Sequence, residues 1–263
     1  MAEQPLTSTL TAGGPFSTFN REERGAVAIL FAALLHRPNL ERFAELAGWP
    51  VSADEVEVFV EWTYLRDLWF AHTGANDKKR AAVLAALNPS NREWLGACSV
   101  EEFNRYFVPN GHSVVNDIYY PGRWSVMGLN SVLSDDDEFR RTCKFKWAFN
   151  IKPDLVLMDG NRVLCVEAKW DSKEGSYPSS DKEKAEFRDR GLPYVGQTEL
   201  QQYLVNDLLG LDGTFRYLVR SGSARSDSHP TATWHEVLSA IDLSMFPTYV
   251  QRWAEAERAE ATR

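Results

Sequence analysis

The chain has 263 residues, of which 44% are hydrophobic and 25% are charged. These values are those of an ordinary globular protein, so they exclude a fibrous repeat and a largely disordered chain. The length suffices for one large domain or two small ones. A formal net charge of −8 at pH 7 excludes a protein-wide field that attracts a polyanion, so any contact with nucleic acid must be local.

Cysteine spacing and hydropathy exclude two further classes. The cysteines Cys98, Cys143 and Cys165 contain no CxxC pair, which argues against a disulfide framework and against a closed zinc site. The longest apolar stretch, Ala26–Leu35, is too short for a membrane span, and no basic-then-apolar leader precedes it. We therefore expect a cytoplasmic protein with no membrane partner.

The N-terminal half is predicted to be largely helical. Residues Met1–Pro15 are rich in Thr, Ser, Gly and Ala, which is typical of a mobile tail. Apolar residues recur at helical spacing from Asn20 to His36, where the first helix is predicted. Further helices are predicted at Leu40–Ala47, Ala53–Phe70, Asp77–Leu87 and Val100–Phe107. We expect residues 38–110 to form a helical insertion.

After Gly111 the sequence changes to short stretches rich in Val, Ile, Tyr, Phe and Trp, which predicts the start of a sheet. Most of the sheet core is expected in residues 111–222. Two apolar runs, Ile151–Met158 and Arg162–Trp170, flank Asp159-Gly160-Asn161, which is a strong hairpin signature. Both runs are apolar on successive residues, as in central strands. The rest is predicted as a polar segment, a helix, a strand and a helical C-terminus, at Asp171–Gly191, Thr198–Leu209, Phe215–Arg220 and from Trp234. Residues 16–263 are thus expected to form a single α/β domain.

Three charged residues, Asp154, Glu167 and Lys169, lie in this apolar hairpin, and a buried charge without a partner is costly. A two-residue loop sets Asp159 opposite Arg162 and therefore Asp154 opposite Glu167, with Cβ atoms about 5 Å apart. Lys169 then projects to the same face, whereas a loop of odd length would reverse one strand. The alternative is an exposed pair, Glu167 and Lys169, on an edge strand, with Asp154 as a strand-entry residue beside Pro153.

Two adjacent carboxylates repel each other unless a proton or a cation lies between them, and hard oxygen ligands on a rigid sheet suit Mg²⁺ or Mn²⁺. Such an ion polarises a phosphoryl oxygen and lowers the pKa of bound water. A neighbouring lysine can orient that water or stabilise negative charge. These parts fit hydrolysis of a phosphodiester bond.

Pro153-Asp154 followed by Glu167-Ala168-Lys169 resembles the signature of the PD-(D/E)XK nuclease superfamily. The resemblance covers roughly Lys152–Arg220 together with the first helix. It implies an α/β fold with a restriction-endonuclease-like core of helix, three-stranded meander, helix and strand, here with an N-terminal helical insertion. It also implies that Asp154 and Glu167 bind the metal ion, with the Ala168 carbonyl as a further ligand, and that Lys169 is the catalytic lysine.

The resemblance makes Glu23 a further candidate ligand. Glu23 is in helical register with Val27, Leu30 and Leu34, so it faces the core side of the first helix, where members of the superfamily place an acidic residue in the metal site. Glu22 is a minor alternative. Asn20 and Glu23 are also spaced as the two partners of a capping box, which would make Glu23 structural.

Gln201 is similar to a glutamine that RecB-like members carry on the helix after the lysine strand, where it helps to position the catalytic site. Tyr203 departs from their usual glutamine-then-tyrosine spacing. Thr198 and Gln201 are spaced as a capping box as well, and this structural interpretation is slightly favoured. Gln197 and Gln202 are possible substitutes.

Basic residues cluster in three places: Lys78-Lys79-Arg80, Arg140-Arg141 with Lys144 and Lys146, and Lys173 with Lys182, Lys184, Arg188 and Arg190. Contact with phosphates is one use for them. Because each cluster is interleaved with acids, an ordinary solvated surface is the favoured interpretation.

The sequence therefore predicts a Mg²⁺-dependent or Mn²⁺-dependent nuclease that acts on DNA, with RNA as the alternative substrate. The acidic net charge predicts weak, salt-sensitive binding unless a homodimer or a partner subunit supplies positive surface. The resemblance suggests antiviral defence in bacteria or DNA repair. The alternative from another class is a nuclease fold that serves as a non-catalytic binding or scaffolding subunit.

Overall fold

A computed structural model of the chain describes residues 23–51, 56–72, 78–79, 120–170, 174–220 and 230–260. The chain divides into two compact units, the first made of Met1–Glu61, Asp154–Lys173 and Thr214–Arg263, and the second of Trp62–Pro153 and Glu174–Gly213. The predictions for the tail, for Asn20 and Glu22, and for the helix at 100–107 lie outside the described residues. So do those for the helix at 77–87 apart from Lys78 and Lys79.

The helices are α1 (Glu23–Leu34), α2 (Arg37–Leu46), α3 (Tyr64–Ala71), α4 (Val126–Val132), α5 (Asp136–Ala148), α6 (Asp181–Asp189), α7 (Gln197–Gln202), α8 (Trp234–Ala240) and α9 (Thr248–Glu260). The strands are β1 (Glu57–Val60), β2 (Leu155–Asp159), β3 (Arg162–Lys169), β4 (Ser176–Tyr177), β5 (Val195–Gly196), β6 (Asp212–Val219) and β7 (Thr231–Thr233). No helix in these ranges is long and apolar enough to cross a membrane.

A five-stranded mixed sheet, in the order β1-β2-β3-β6-β7, forms the centre of the first unit. Strands β1, β2 and β3 are an antiparallel meander, and β6 and β7 are parallel. Asp159 pairs with Arg162, so the loop has two residues, as predicted. Gly160 has a φ of +60°, and a glycine with positive φ at the first loop position is typical of a type II′ hairpin turn.

One face of this sheet packs on helices α1, α2, α8 and α9. The core includes Leu155 and Leu157 of β2, Leu164 and Val166 of β3, and the apolar stripe of α1, namely Ala26, Val27, Leu30, Ala33 and Leu34. Each large apolar side chain buried in this way stabilises the fold by about 1.5–3 kcal/mol. The packing therefore fixes α1 against the hairpin and determines where the first residues of α1 lie.

The second unit contains α3 to α7 and a small antiparallel sheet of β4 and β5, with buried aromatic residues such as Phe139, Trp147 and Phe187 in its core. Arg190 connects the end of α6 to the end of α4 and the start of α5. Its guanidinium donates hydrogen bonds to the carbonyl oxygens of Asn130 and Leu133 and forms an ion pair with Asp136 at 2.7 Å. It is therefore a structural residue in the described conformation.

The helix predicted at Ala53–Phe70 is wrong over its first half, where Glu57–Val60 is strand β1 and α3 begins only at Tyr64. Valines alternate with other residues from Val56 to Val60, and β-branched side chains favour strands. Pairing with β2 then decides between strand and helix. The first strand of the meander thus comes from a segment that was predicted to be helical.

The sheet predicted to begin after Gly111 is also wrong over residues 120–150, which contain α4 and α5. Both helices begin at side-chain caps that the sequence displays. Ser125 accepts a hydrogen bond from the Gly128 N–H, and Asp135 accepts one from the Glu138 N–H. Aromatic residues of α5 are buried in the core, so their β propensity is overridden by packing.

Two C-terminal expectations are corrected in detail. The segment Asp171–Gly191, predicted only as polar, contains helix α6, which Ser180 caps. The predicted helix at Thr198–Leu209 is α7 continued by a π-helical turn, Tyr203–Leu208. The predicted strand near Phe215 and the helices from Trp234 are confirmed.

Candidate active site

Asp154 and Glu167 lie opposite each other at the open end of the β2–β3 hairpin. The β2–β3 ladder ends with the pair Leu155 and Val166, and one further step in the same register places Asp154 opposite Glu167. Side chains alternate along a strand, so both carboxylates project to the face opposite the helical core, and Lys169 shares that face. The predicted parity of the hairpin is therefore confirmed.

The alternative of an exposed edge-strand pair is wrong. Strand β3 lies between β2 and β6, and Glu167 is only 1% exposed and Lys169 only 6% exposed. Charges buried to this degree require compensation by neighbouring groups. The compensation is visible in the contacts of each side chain.

The Asp154 carboxylate accepts a hydrogen bond of 2.9 Å from the Ala168 N–H. Burial raises the pKa of Asp154 from 3.8 to about 6, although the Lys169 ammonium and the Ala168 N–H act to lower it. The nearby Glu23 carboxylate raises the pKa further, and a hydrogen bond with the Glu167 side chain lowers it. Asp154 therefore retains a proton more readily than an exposed aspartate, as expected for a carboxyl group that is removed from water.

The Lys169 ammonium lies 2.5 Å from Glu167 Oε1 and 3.6 Å from Glu23 Oε1. Burial by itself would lower the pKa of Lys169, but Glu167, Glu23 and Asp154 together raise it above its ordinary value. Lys169 is thus a fixed cation, held between carboxylates that come from a strand and from a helix.

Glu23 is the first described residue of α1, and its carboxylate reaches the end of strand β3. Glu23 Oε2 accepts a hydrogen bond of 3.0 Å from the Trp170 N–H, while Oε1 forms the ion pair with Lys169. The structure therefore brings Glu23 together with the hairpin acids, which is the place that the resemblance implies for an acid of the first helix. Its suggested capping partner, Asn20, lies outside the described residues.

Three carboxylates and one ammonium group thus converge in the first unit. If every group were ionised the cluster would carry a net charge of −2, and the raised pKa of Asp154 shows that this charge is unfavourable in a buried place. A cluster of this kind favours the binding of a cation, because a cation removes the repulsion without a proton. Among the described residues, however, no three His, Cys, Asp or Glu side chains form a ready-made metal cage.

The other sequence candidates belong to the second unit. Gln201 is buried in α7 and is 1% exposed. The capping box proposed for Thr198 and Gln201 does not form, since the N-cap of α7 is Gly196 and the Thr198 N–H donates to Glu174 instead. The interpretation of Gln201 as a cap is therefore wrong, and its role as a positioning residue stays a prediction.

Several residues of the basic clusters are engaged within the second unit. Arg140 and Lys144 both pair with Glu199, at 2.8 Å and 3.4 Å, and Lys146 pairs with Glu183 at 3.6 Å. Lys146 is only 6% exposed, so the solvated surface favoured for this cluster is wrong at this residue. The ion pairs hold all three cations against acids of the same unit.

Two residues near the end of β3 were not selected from the sequence. Arg220 follows β6, its N–H donates to the Lys169 carbonyl, and its guanidinium lies 5.3 Å from the centre of the Trp170 ring and 3.4 Å from Glu257. In the sequence, Arg220 was only the last residue of a predicted strand, and nothing else indicated that it lies near the candidate site. Glu257, which is 8% exposed, had no signal in the sequence at all.

Comparison with models of known protein families, with curated proteins and with solved structures found no match to this chain.

Proposed function

We propose that this protein is a metal-dependent nuclease that hydrolyses phosphodiester bonds of DNA through a restriction-endonuclease-like site of the PD-(D/E)XK type. The observation that carries the proposal is the gathering of Asp154, Glu167, Lys169 and Glu23 around the open end of one hairpin. A chance PD and E-x-K pattern would not bring a helix carboxylate to the same lysine.

The architecture of the first unit is compatible with the proposed core. Helix α1 packs on an antiparallel meander of β1, β2 and β3, and β6 follows beside β3. Residues 62–153 of the second unit lie between β1 and β2, so we propose that this segment is an insertion within the meander. Residues 174–213, with α6 and α7, connect β3 to β6 and supply the helical connection that the proposed core requires. This interpretation replaces the insertion expected at residues 38–110.

The donor set fits Mg²⁺ or Mn²⁺, since its side chains supply only hard carboxylate oxygens. Asp154, Glu167 and Glu23 would hold the ion, with the Ala168 carbonyl as a further ligand. When bound, the ion would supply Lewis-acid polarisation of a phosphoryl oxygen and a lower pKa for the attacking water.

The residues of the chain itself contribute charge and orientation. Lys169 carries three N–H donors, of which Glu167 accepts one at 2.5 Å, so the ammonium retains capacity to donate to a phosphoryl oxygen or to the attacking water. Glu167 and Glu23 fix the direction of that ammonium group. Lys169 is only 6% exposed, and the lower dielectric of a buried place strengthens its attraction to developing negative charge.

A plasmid-nicking assay combined with Mn²⁺ calorimetry tests this function. The wild-type chain should bind Mn²⁺ and cleave DNA, and Lys169→Ala should abolish cleavage. Arg252→Ala, which removes an exposed cation of α9 outside the basic clusters, is the control and should cleave normally. Parallel assays on single-stranded and double-stranded DNA and RNA decide which nucleic acid is the substrate. Antiviral defence and DNA repair are the proposed biological roles.

One observation favours the second candidate, a non-catalytic binding or scaffolding subunit. The Lys169 ammonium already compensates Glu167 and Glu23, so part of the buried charge is balanced without a metal ion. A protein that neither binds Mn²⁺ nor cleaves any of these nucleic acids would support the scaffold and overturn the nuclease.

A further inference from the structure

An aromatic side chain of the second unit is presented to solvent. Phe70, near the end of α3, is 64% exposed. One face of its ring stacks on Tyr120, with ring centroids 5.8 Å apart and planes inclined by 25°. Exposure of so large an apolar ring costs free energy, and stacking on Tyr120 leaves most of its area available for another flat group.

Tyr120 beneath this ring is held firmly. Its hydroxyl donates a hydrogen bond of 2.6 Å to the Phe149 carbonyl. The rings of Trp69 and Phe149 meet it edge-on, with centroids 6.0 Å and 5.7 Å away, and Trp69 is itself buried. Phe70 therefore stands on a rigid aromatic support, which lowers the entropy lost when a ligand stacks on it.

Among the residues that the structure describes, the charged groups near this stack are mainly positive. Arg66 and Arg123 are exposed and act electrostatically on Tyr120, against one acid, Asp67. The Lys79 ammonium lies 5.8 Å from the centre of the Trp69 ring. Within the described part of the chain, this local balance is opposite in sign to the net charge of −8 that the whole chain carries.

We propose that Phe70, Tyr120, Arg66 and Arg123, the Phe70 platform, bind single-stranded nucleic acid by stacking one base on Phe70 while the arginines contact flanking phosphates. An exposed ring beside cations is the combination that such strands require, since each base offers a flat face and each phosphate a negative charge. In a duplex the base faces are covered by their neighbours, so an unpaired base is the matching ligand. This inference deepens the proposed function and rests on it, because the bound single strand would be the nucleic acid on which the proposed nuclease acts.

The test measures binding and cleavage separately. The full chain is titrated into a fluorescein-labelled oligothymidylate, followed by anisotropy, in buffer with EDTA so that no metal-dependent cleavage occurs. Phe70→Ala should weaken binding about ten-fold or more, whereas Phe70→Trp should retain it, because base stacking contributes about 1–3 kcal/mol. Arg123→Gln should make the plot of log affinity against log salt concentration less steep, by about the amount that one phosphate contact contributes.

Tyr249→Ala is the matched control, since Tyr249 is a 49% exposed aromatic residue of α9 in the first unit. It should leave oligothymidylate affinity unchanged. Circular dichroism and urea unfolding verify that each variant folds, and Phe70→Trp provides a folded variant if Phe70→Ala does not.

Three results would overturn the platform: no measurable binding by the wild-type chain, equal affinity for wild type and folded Phe70→Ala, or an equal loss in Tyr249→Ala. A change in self-association with unchanged affinity would instead identify the surface as an interface between copies of the chain. The Lys169→Ala background separates this inference from the nuclease: cleavage is lost there, but Phe70→Ala should still weaken oligothymidylate binding by the same factor. Phe70-dependent binding without any cleavage would support the platform and reject the nuclease.

Discussion

Lys169 Nζ lies 2.5 Å from Glu167 Oε1, and the two residues are two positions apart on the same face of strand β3. This ion pair makes the lysine both a candidate catalytic group and a competitor for the carboxylate that would bind a metal ion. Removal of the ammonium should therefore affect metal binding and cleavage in opposite directions.

Lys169→Met should raise Mn²⁺ affinity, because the carboxylates of Glu167 and Glu23 lose their internal counter-ion. Cleavage should fall by about 10²–10³-fold, the usual effect of removing one donor to a transition-state oxyanion. Calorimetry and plasmid nicking measure the two effects. Unchanged affinity would show that the ammonium and the metal ion do not compete.

Glu23→Gln should weaken Mn²⁺ binding about ten-fold or more while the chain stays folded. The glutamine oxygen can still accept the hydrogen bond from the Trp170 N–H, but it carries no charge for a cation. Glu255→Gln, at an exposed position of α9, is the matched control and should have no effect. Equal Mn²⁺ affinities for the wild type and Glu23→Gln would leave Glu23 with a structural role alone.

Mn²⁺ affinity should rise with pH through about 6 and then level off, because the cation competes with the proton that the raised pKa of Asp154 retains. Glu167, Glu23 and the Lys169 ammonium also face this carboxyl, so the titration belongs to the group as a whole. Calorimetry in buffers of different ionisation enthalpy should detect proton release below pH 6. Asp154→Asn should flatten the profile.

The raised pKa of Asp154 also determines how the free energy of unfolding of the metal-free chain changes with pH. Between pH 3.8 and about 6 the folded chain binds more protons at Asp154 than the unfolded chain does, so this group's contribution to the free energy of unfolding falls as pH rises through that window. Urea unfolding of wild type and Asp154→Asn across the window measures the difference. A contribution that rises with pH would contradict the burial of Asp154.

Arg190→Lys should lower the free energy of unfolding by about 1–3 kcal/mol, because lysine cannot reproduce the fork of donors that serves two carbonyls and Asp136. Arg188→Lys, at an exposed neighbouring position, should change it little. Urea unfolding followed by far-ultraviolet circular dichroism checks both. Equal stability of the two variants would show that Arg190 belongs to the solvated surface that the sequence predicted.

Local sequence determined much of the candidate site. A glycine at the first position of a two-residue loop fixes the turn, the turn fixes the register, and the register sets Asp154, Glu167 and Lys169 on one face. These steps depend on neighbouring residues only, so periodicity and turn chemistry suffice to predict them. The helical register of Glu23 was likewise visible in the sequence.

Tertiary structure decided the rest, because long-range pairing and packing can override local propensity. Residues 57–60 became a strand by pairing with β2, about a hundred residues further along the chain, and the aromatic residues of α5 became helical in a packed core. Only the packing of α1 on the sheet could bring Glu23 to Lys169, and only the folded chain could commit Arg190 to internal carbonyls. Sequence thus specified which groups share one hairpin face, while contacts between distant segments specified which further charges join them.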